Sequence, residues 1–217
     1  MRFIKPNLSN IKSINKYDVS WAYKNNNPVV RYFYFQRLIK SLSLVEEKLY
    51  KNALDMGTGS GILLPTLSRF SKNVVGIDVL DSIDDVENFI EKEGIKNVSL
   101  IKKDLKKMDF KPKSFDLICG ISVFEHIEDL DSIFQNIKNI LTDDGTLLLG
   151  YPIESFLTKI GFKYAGVEDD VEEQHISDYK RLREVIPKYF KIAKRLKYPS
   201  RFLPDTFTLY EAVLCTK

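Results

Sequence analysis

Short apolar runs alternate with helical patterns over the middle of this chain, and then the alternation stops. Residues 53–56, 73–78, 97–102, 115–121 and 145–151 read as strands. Between them come a glycine cluster with a helical pattern through Leu63, Leu67 and Phe70, a helix over 82–93 closed by Gly94, and a helix over about 130–141. Strands joined through helices build a parallel sheet covered on both faces. Two further runs, 189–198 and 207–215, are separated only by a loop holding Pro199, Ser200 and Pro204. That loop is too short for the crossover that parallel neighbours need, so these runs pair antiparallel. The expectation is an α/β fold: a doubly wound, seven-stranded, mostly parallel sheet ending in a C-terminal antiparallel hairpin.

The 217 residues suit a single domain. Residues 1–50 form an N-terminal cap and helix, 51–151 the core, 152–188 a variable segment on the ligand side, and 189–217 the hairpin. Over 28–49, Val30, Phe33, Tyr34, Leu38, Leu42, Val45 and Leu49 follow steps of three and four, the mark of an amphipathic helix, which packs on the sheet in preference to the alternative of membrane binding. Tyr17, Trp21 and Tyr23 in the polar stretch 1–27 suggest a lid. Hydrophobic residues at 44% supply a core that needs no staples. No apolar run approaches the roughly 20 residues of a membrane span, and residues 1–10 lack the apolar stretch of a secretory signal. Cys119 and Cys215 fall inside strands, as buried thiols do in a reducing compartment, so a cytoplasmic location without a disulfide or metal site is expected. The net charge of +3 is too small to argue for nucleic acid. Basic residues nonetheless crowd 2–48 and 188–201, as solvated surface or as a surface for an anionic partner.

The chemistry concentrates in Asp55-Met56-Gly57-Thr58-Gly59-Ser60-Gly61, between the first strand and its helix. An open parallel sheet holds its ligands there. Gly57, Gly59 and Gly61 let the backbone turn sharply and approach a ligand closely. The helix, expected to begin near Gly61, aims free N–H groups at the loop. The spacing is Gly-x-Gly-x-Gly, not the Gly-x-Gly-x-x-Gly of dinucleotide sites. Asp55 would repel a pyrophosphate but can accept a hydrogen bond from an ammonium group, directly or through water. Together these features favour a zwitterionic amino-acid ligand. Asp78, at the tip of the second strand, can take both hydroxyls of a ribose. Asp104 stands at the next strand end, in reach of an adenine amino group. The strand 115–121 runs on through Ser122-Val123-Phe124-Glu125-His126 into a polar segment.

Together these residues resemble the class I (Rossmann-like) S-adenosylmethionine-dependent methyltransferase family over about 51–151, and the terminal hairpin fits that family's seven-stranded sheet. The resemblance implies S-adenosyl-L-methionine as cofactor, its methionine part cradled by Asp55, Gly57, Thr58, Gly59, Ser60 and Gly61. It also implies Asp78 with Val79 at the ribose, Asp104 and Leu105 at the adenine, and Gly120 and Ile121 near the sulfonium. Phe115-Asp116-Leu117-Ile118 followed by Phe124-Glu125-His126 looks like the small-molecule branch. The Asn-Pro-Pro-Tyr type of motif used by many base and amide methyltransferases is absent, which disfavours a nucleic-acid acceptor. The implied partner is a small-molecule methyl acceptor, with oxygen, nitrogen and carbon acceptors all open.

Methyl transfer from a sulfonium is an in-line displacement whose leaving thioether needs no proton. Holding the nucleophile close and aligned contributes about 7–11 kcal/mol, and a base is needed only when the acceptor must lose a proton. His126 and His175 are the candidates, each with a structural hydrogen-bonding role as its alternative. The acidic stretch 168–173 reads as a solvated loop or a substrate gate. A nicotinamide-dependent oxidoreductase shares the strand-loop-helix and Asp78 but fails on glycine spacing, on Asp55 and on the hairpin. A non-catalytic S-adenosylmethionine-binding subunit also stays open, as does a polyamine synthase through Glu125, Glu128 and Asp129.

Overall fold

Seven strands form one sheet: β1 (Tyr50–Met56), β2 (Ser71–Asp78), β3 (Val98–Lys102), β4 (Phe115–Ile121), β5 (Leu141–Pro152), β6 (Lys191–Tyr198) and β7 (Tyr210–Thr216). Their order is β3-β2-β1-β4-β5-β7-β6, parallel except that β7 runs antiparallel to both β5 and β6. The computed structural model describes residues 1–11, 20–79, 83–155, 158, 177–200 and 202–217. Helices among them are α1 (Ser20–Lys24), α2 (Pro28–Leu42), α3 (Leu64–Phe70), α4 (Ile83–Lys92), α5 (Leu130–Ile140) and α6 (Tyr179–Tyr189). The expected α/β class and hairpin are both present. None of these helices is long and apolar enough to cross a membrane.

The central strands are apolar on both faces because helices cover both. Successive residues alternate between two cores. Ala53, Leu117 and Leu148 face α2, α3 and α4, while Leu54, Ile118 and Leu147 face α5 and α6. Strand order reverses between β1 and β4, so their C-terminal ends open a crevice at the switch point.

Three boundaries differ from the sequence reading. The amphipathic helix ends at Leu42, not near 49, and Leu49 is exposed. Its last turn tightens as Ser43, Leu44 and Val45 N–H groups bond Ile39, Ser41 and Leu42 carbonyls, and the Met1 ammonium group takes the carbonyls of Leu42 and Val45. At the other end Asn27 accepts from the Val29 N–H at 2.9 Å, ahead of Pro28 in the first helical position. β5 begins at Leu141, directly after α5, and absorbs the Asp143-Asp144-Gly145 turn as an irregularity: the register passes from Phe115↔Leu141 to Leu117↔Thr146. β7 begins at Tyr210 because 205–207 form a 3₁₀ turn, where Arg183 and Lys197 hold Asp205.

Candidate active site

β1 and β2 position the glycine loop together. Gly57 and Thr58 N–H groups both donate to the Ile77 carbonyl, at 2.9 and 3.2 Å, and the Gly59 N–H donates to Asp78 Oδ2 at 2.7 Å. The Thr58 hydroxyl donates back to the Asp55 carbonyl at 3.0 Å. Gly57, Gly59 and Gly61 have φ of +67°, +53° and +76°, a conformation that costs other residues energy. A Cβ at Gly57 would also sit 2.9 Å from Val123 Cβ and closer still to its Cγ2. α3 starts at Leu64, not near Gly61, because turns at 58–61 and 61–64 intervene. The loop, with Ile62 and the N-cap residue Leu63 ahead of this short helix, lines the ligand space.

A cavity of about 520 Å³ opens between the loop, the ends of β1, β2 and β4, and α2, a size suited to a small molecule. Asp55, Gly57, Thr58, Gly59, Ser60, Asp78, Val79, Asp104, Leu105 and Ile121 all line it. Gly61 and Gly120 are not among its lining residues, and packing accounts for both. A Cβ on Gly61 would meet Val86 Cγ1 at 2.8 Å. One on Gly120 would lie 2.8 Å from Phe124 Cζ and nearer to Cε2. Asp104 spends one carboxylate oxygen capping the 3₁₀ turn Leu105–Lys107, accepting from the Lys106 N–H at 2.8 Å. His126 lines the cavity and is exposed, on the 3₁₀ turn that follows β4. His175, the acidic stretch 168–173 and Tyr17 lie outside the described residues. Of the remaining lid aromatics, Tyr23 lines the cavity and Trp21 packs on Tyr34, their ring centroids 5.9 Å apart.

Four buried ionisable side chains line this cavity, Arg37, Asp55, Asp78 and Glu125, and in Asp55 and Arg37 a buried polar atom has no hydrogen-bond partner. Asp55 is 1% exposed, and its Oδ2 has no hydrogen-bond partner. Burial first, and the nearby Asp78 charge second, push its pKa up to about 8. Arg37, 7% exposed, comes from α2. Its Nη1 donates to Ser122 Oγ and its Nη2 to the Tyr23 hydroxyl, both at 2.9 Å, while Nε has no partner. The guanidinium lies 4.5 Å from the Tyr34 ring centroid. Burial opposes its charge, but Tyr23, Tyr210 and Tyr34 outweigh that and hold its pKa above the ordinary arginine value. Ser122 joins this cluster in a left-handed conformation, φ +57°, its hydroxyl 3.0 Å from that of Tyr210.

Sequence reasoning missed Arg37, Ser122 and Tyr210 because they converge from three distant segments. One signal was available. Tyr34, Arg37, Leu38 and Ser41 fall at i, i+3, i+4 and i+7, so α2 turns a cation toward its apolar side.

A switch-point crevice with a glycine loop and an acid at the end of β2 is the place where open α/β sheets hold their ligands. Residues 54–149 match the family model described as a methyltransferase domain. That match takes in less than half of the 217 residues, and over it the chain is similar to methyltransferase domains. A ubiquinone biosynthesis O-methyltransferase of Pelagibacter ubique is 26% identical over 156 residues, which are 66% of this chain and 60% of that protein. The sterol 24-C-methyltransferase erg6 of Aspergillus fumigatus is 32% identical over 95 residues, 42% of this chain and 25% of that one. The chain thus spans 60% of the first relative's length and a quarter of the second's. Among solved structures, the N-methyltransferase NodS of Bradyrhizobium japonicum in complex with S-adenosylhomocysteine shares the fold. Its TM-score is 0.63 at 17% identity, covering 96% of this chain and 95% of that one.

Proposed function

We propose that this protein transfers the methyl group of S-adenosylmethionine to a small apolar or ring-bearing acceptor. The carrying observation is a buried carboxyl and a buried guanidinium on one cavity, each with a polar atom that has no hydrogen-bond partner. Asp55 Oδ2 suits an ammonium group and Arg37 Nε suits a carboxylate, and the methionine part of the cofactor carries both. A nicotinamide dinucleotide offers no such zwitterion, so this pair weighs against the oxidoreductase reading. In this reading Asp78 takes the ribose and Val79, Asp104 and Leu105 the adenine; that all four line the cavity supports it.

When bound, the cofactor supplies an electrophilic methyl group on its sulfonium. The chain's own residues orient and exclude water. Phe33, Tyr34, Leu38, Ile127, Pro152 and Leu209 give the cavity apolar walls, which support an apolar acceptor, as do the words ubiquinone and sterol in the relatives' names. In this reading His126 or Glu125, which line the same cavity, receives the proton of an acceptor hydroxyl. The free, buried thiols of Cys119 and Cys215 favour work in a reducing compartment such as the cytoplasm.

Calorimetric titration with S-adenosylmethionine, S-adenosylhomocysteine and NAD tests the reading. Both adenosyl compounds are expected to bind and NAD is not; binding of NAD alone would overturn it. Asp78→Ala is expected to weaken adenosyl binding by about 1.5–3 kcal/mol, the scale of hydrogen bonds to a charged group.

A further inference from the structure

The outward side of α2 is apolar as well as the inward one. Val29, Tyr32, Gln36 and Ile39 fall at i, i+3, i+7 and i+10, and Val29 and Tyr32 are 71% and 60% exposed. The stripe continues onto the turn between β6 and β7. Tyr198, which ends β6, lies 5.8 Å, ring to ring, from Phe33. Beyond it, Phe202 is 81% and Phe207 45% exposed. Most of the large exposed hydrophobic side chains among the described residues therefore gather on α2 and this one turn.

The same two elements are cationic. No acid occurs from 28 to 42 or from 191 to 204, while Arg31, Lys40, Lys191 and Lys194 do; Arg195 and Lys197 are held instead by Glu211 and Asp205. Lysines on an edge strand guard against strand pairing, and β6 is an edge, so its charge alone has an ordinary explanation. That explanation leaves the adjacent protruding aromatics unaccounted for. Apolar side chains rimmed by lysine and arginine match an anionic lipid surface, where the rings enter the interface and the cations meet headgroups. A nucleic acid would use the cations but not an exposed valine and phenylalanine. Position adds a third argument: Phe33 and Tyr34 of α2 and Leu209 and Tyr210 after the turn also wall the cavity.

We propose that the outer face of α2 and the β6–β7 turn form a docking surface for an anionic lipid bilayer. This places the cavity beside the membrane, from which an apolar acceptor can enter. The docking is separable from the methyl transfer proposed above, and its test does not depend on catalysis.

The full chain is sedimented with vesicles of equal parts phosphatidylcholine and phosphatidylglycerol, and with vesicles of phosphatidylcholine alone. Binding to the first, weakened by salt and by omission of phosphatidylglycerol, is expected. Val29→Ser combined with Phe202→Ser should weaken it about tenfold or more, and Lys191→Glu combined with Lys194→Glu should do likewise. Leu49→Ser, an exposed apolar position outside this patch, should leave it unchanged. S-adenosylhomocysteine affinity, measured on each variant, should stay at the parent value and so reports separately on the cofactor site. No binding to anionic vesicles overturns the proposal, as does binding that survives the Val29 and Phe202 changes. Binding of duplex DNA without vesicle binding, or a dimer broken by those two changes, assigns the face to another occupant and overturns it too.

Discussion

Adjacent residues of β7 serve two buried charge clusters of opposite kind. Tyr210 faces the cavity, where Arg37 and Asp55 are buried with no ion pair among the described residues. Glu211 is wholly buried and fully answered. Its Oε1 accepts from the Tyr151 hydroxyl at 2.6 Å and from Arg183 Nε at 3.2 Å, and its Oε2 accepts from Arg183 Nη2 at 2.5 Å. Arg183 also grips Asp205 with both Nη groups, at 2.6 and 3.0 Å, and Lys197 joins at 2.7 Å. Buried charge closed by the protein's own partners is a device for holding a fold together, and here it locks α6 to the hairpin. Buried charge left open is costly without a ligand, so it marks a binding site.

The largest effect should fall on the closed cluster. Glu211→Ala leaves the Arg183 charge without its buried partner and should lower the urea unfolding free energy by about 3–5 kcal/mol. Cofactor affinity of the folded protein should not change. A loss below about 1 kcal/mol would reduce the cluster to the worth of surface pairs and dissolve the contrast. Asp205 adds a pH signature. Arg183 first, then Lys197, hold its pKa below the ordinary value, so its contribution is full above about pH 4 and is lost as the pH falls through its folded pKa.

Arg37→Leu should do the reverse. Calorimetry should show S-adenosylhomocysteine binding weakened by about 1.5–3 kcal/mol, with the unfolding free energy unchanged or raised. A stability loss on the scale expected for Glu211→Ala would mean that Arg37 belongs to the fold and not to the ligand.

Asp55 sharpens the comparison through pH. With its pKa pushed up to about 8 in the empty site, it is protonated near neutrality and must release a proton to receive an ammonium group. Affinity should therefore rise with pH toward about 8, and titrations in buffers of different ionisation enthalpy should reveal the released proton. Asp55→Asn should abolish that release. The folded pKa is raised above the unfolded value of about 3.9, so the empty protein should lose stability as pH rises from about 4 to about 8. The Asn variant should melt without that slope.

The smallest effect belongs to neither cluster. Gly94 has φ +68° with open space where a Cβ would go, so Gly94→Ala should cost only about 1–2 kcal/mol of conformational strain and leave ligand affinity alone.

Much of the cofactor half was legible because its information is local. Apolar runs marked β1 to β4 to within about three residues, since strands buried on both faces cannot tolerate polar interruption. The glycines at 57 and 59, with Asp78 and Asp104, were read from their place at strand ends, and the cavity holds all four. Gly61 and Gly120 were read the same way but are not among the cavity's lining residues, and a Cβ on either would crowd Val86 or Phe124; a missing Cβ looks identical in sequence whether a ligand or a neighbouring side chain needs the space. The end of α2 was misread for a related reason. Val45 continues the apolar period and is buried, yet it is buried by a turn that the Met1 terminus caps.

The sequence by itself determined the order of elements, the antiparallel closing hairpin and the acid-bearing glycine loop, because each depends on neighbours within a few residues. Only the tertiary structure decided which buried charges meet. Arg37 reaches the cavity across 85 residues to Ser122, and Ser122 meets Tyr210 across 88. Glu211 finds Arg183 across the hairpin. Whether a charge is answered is a property of three-dimensional proximity in a low dielectric, where a few ångströms separate a structural ion pair from an open site.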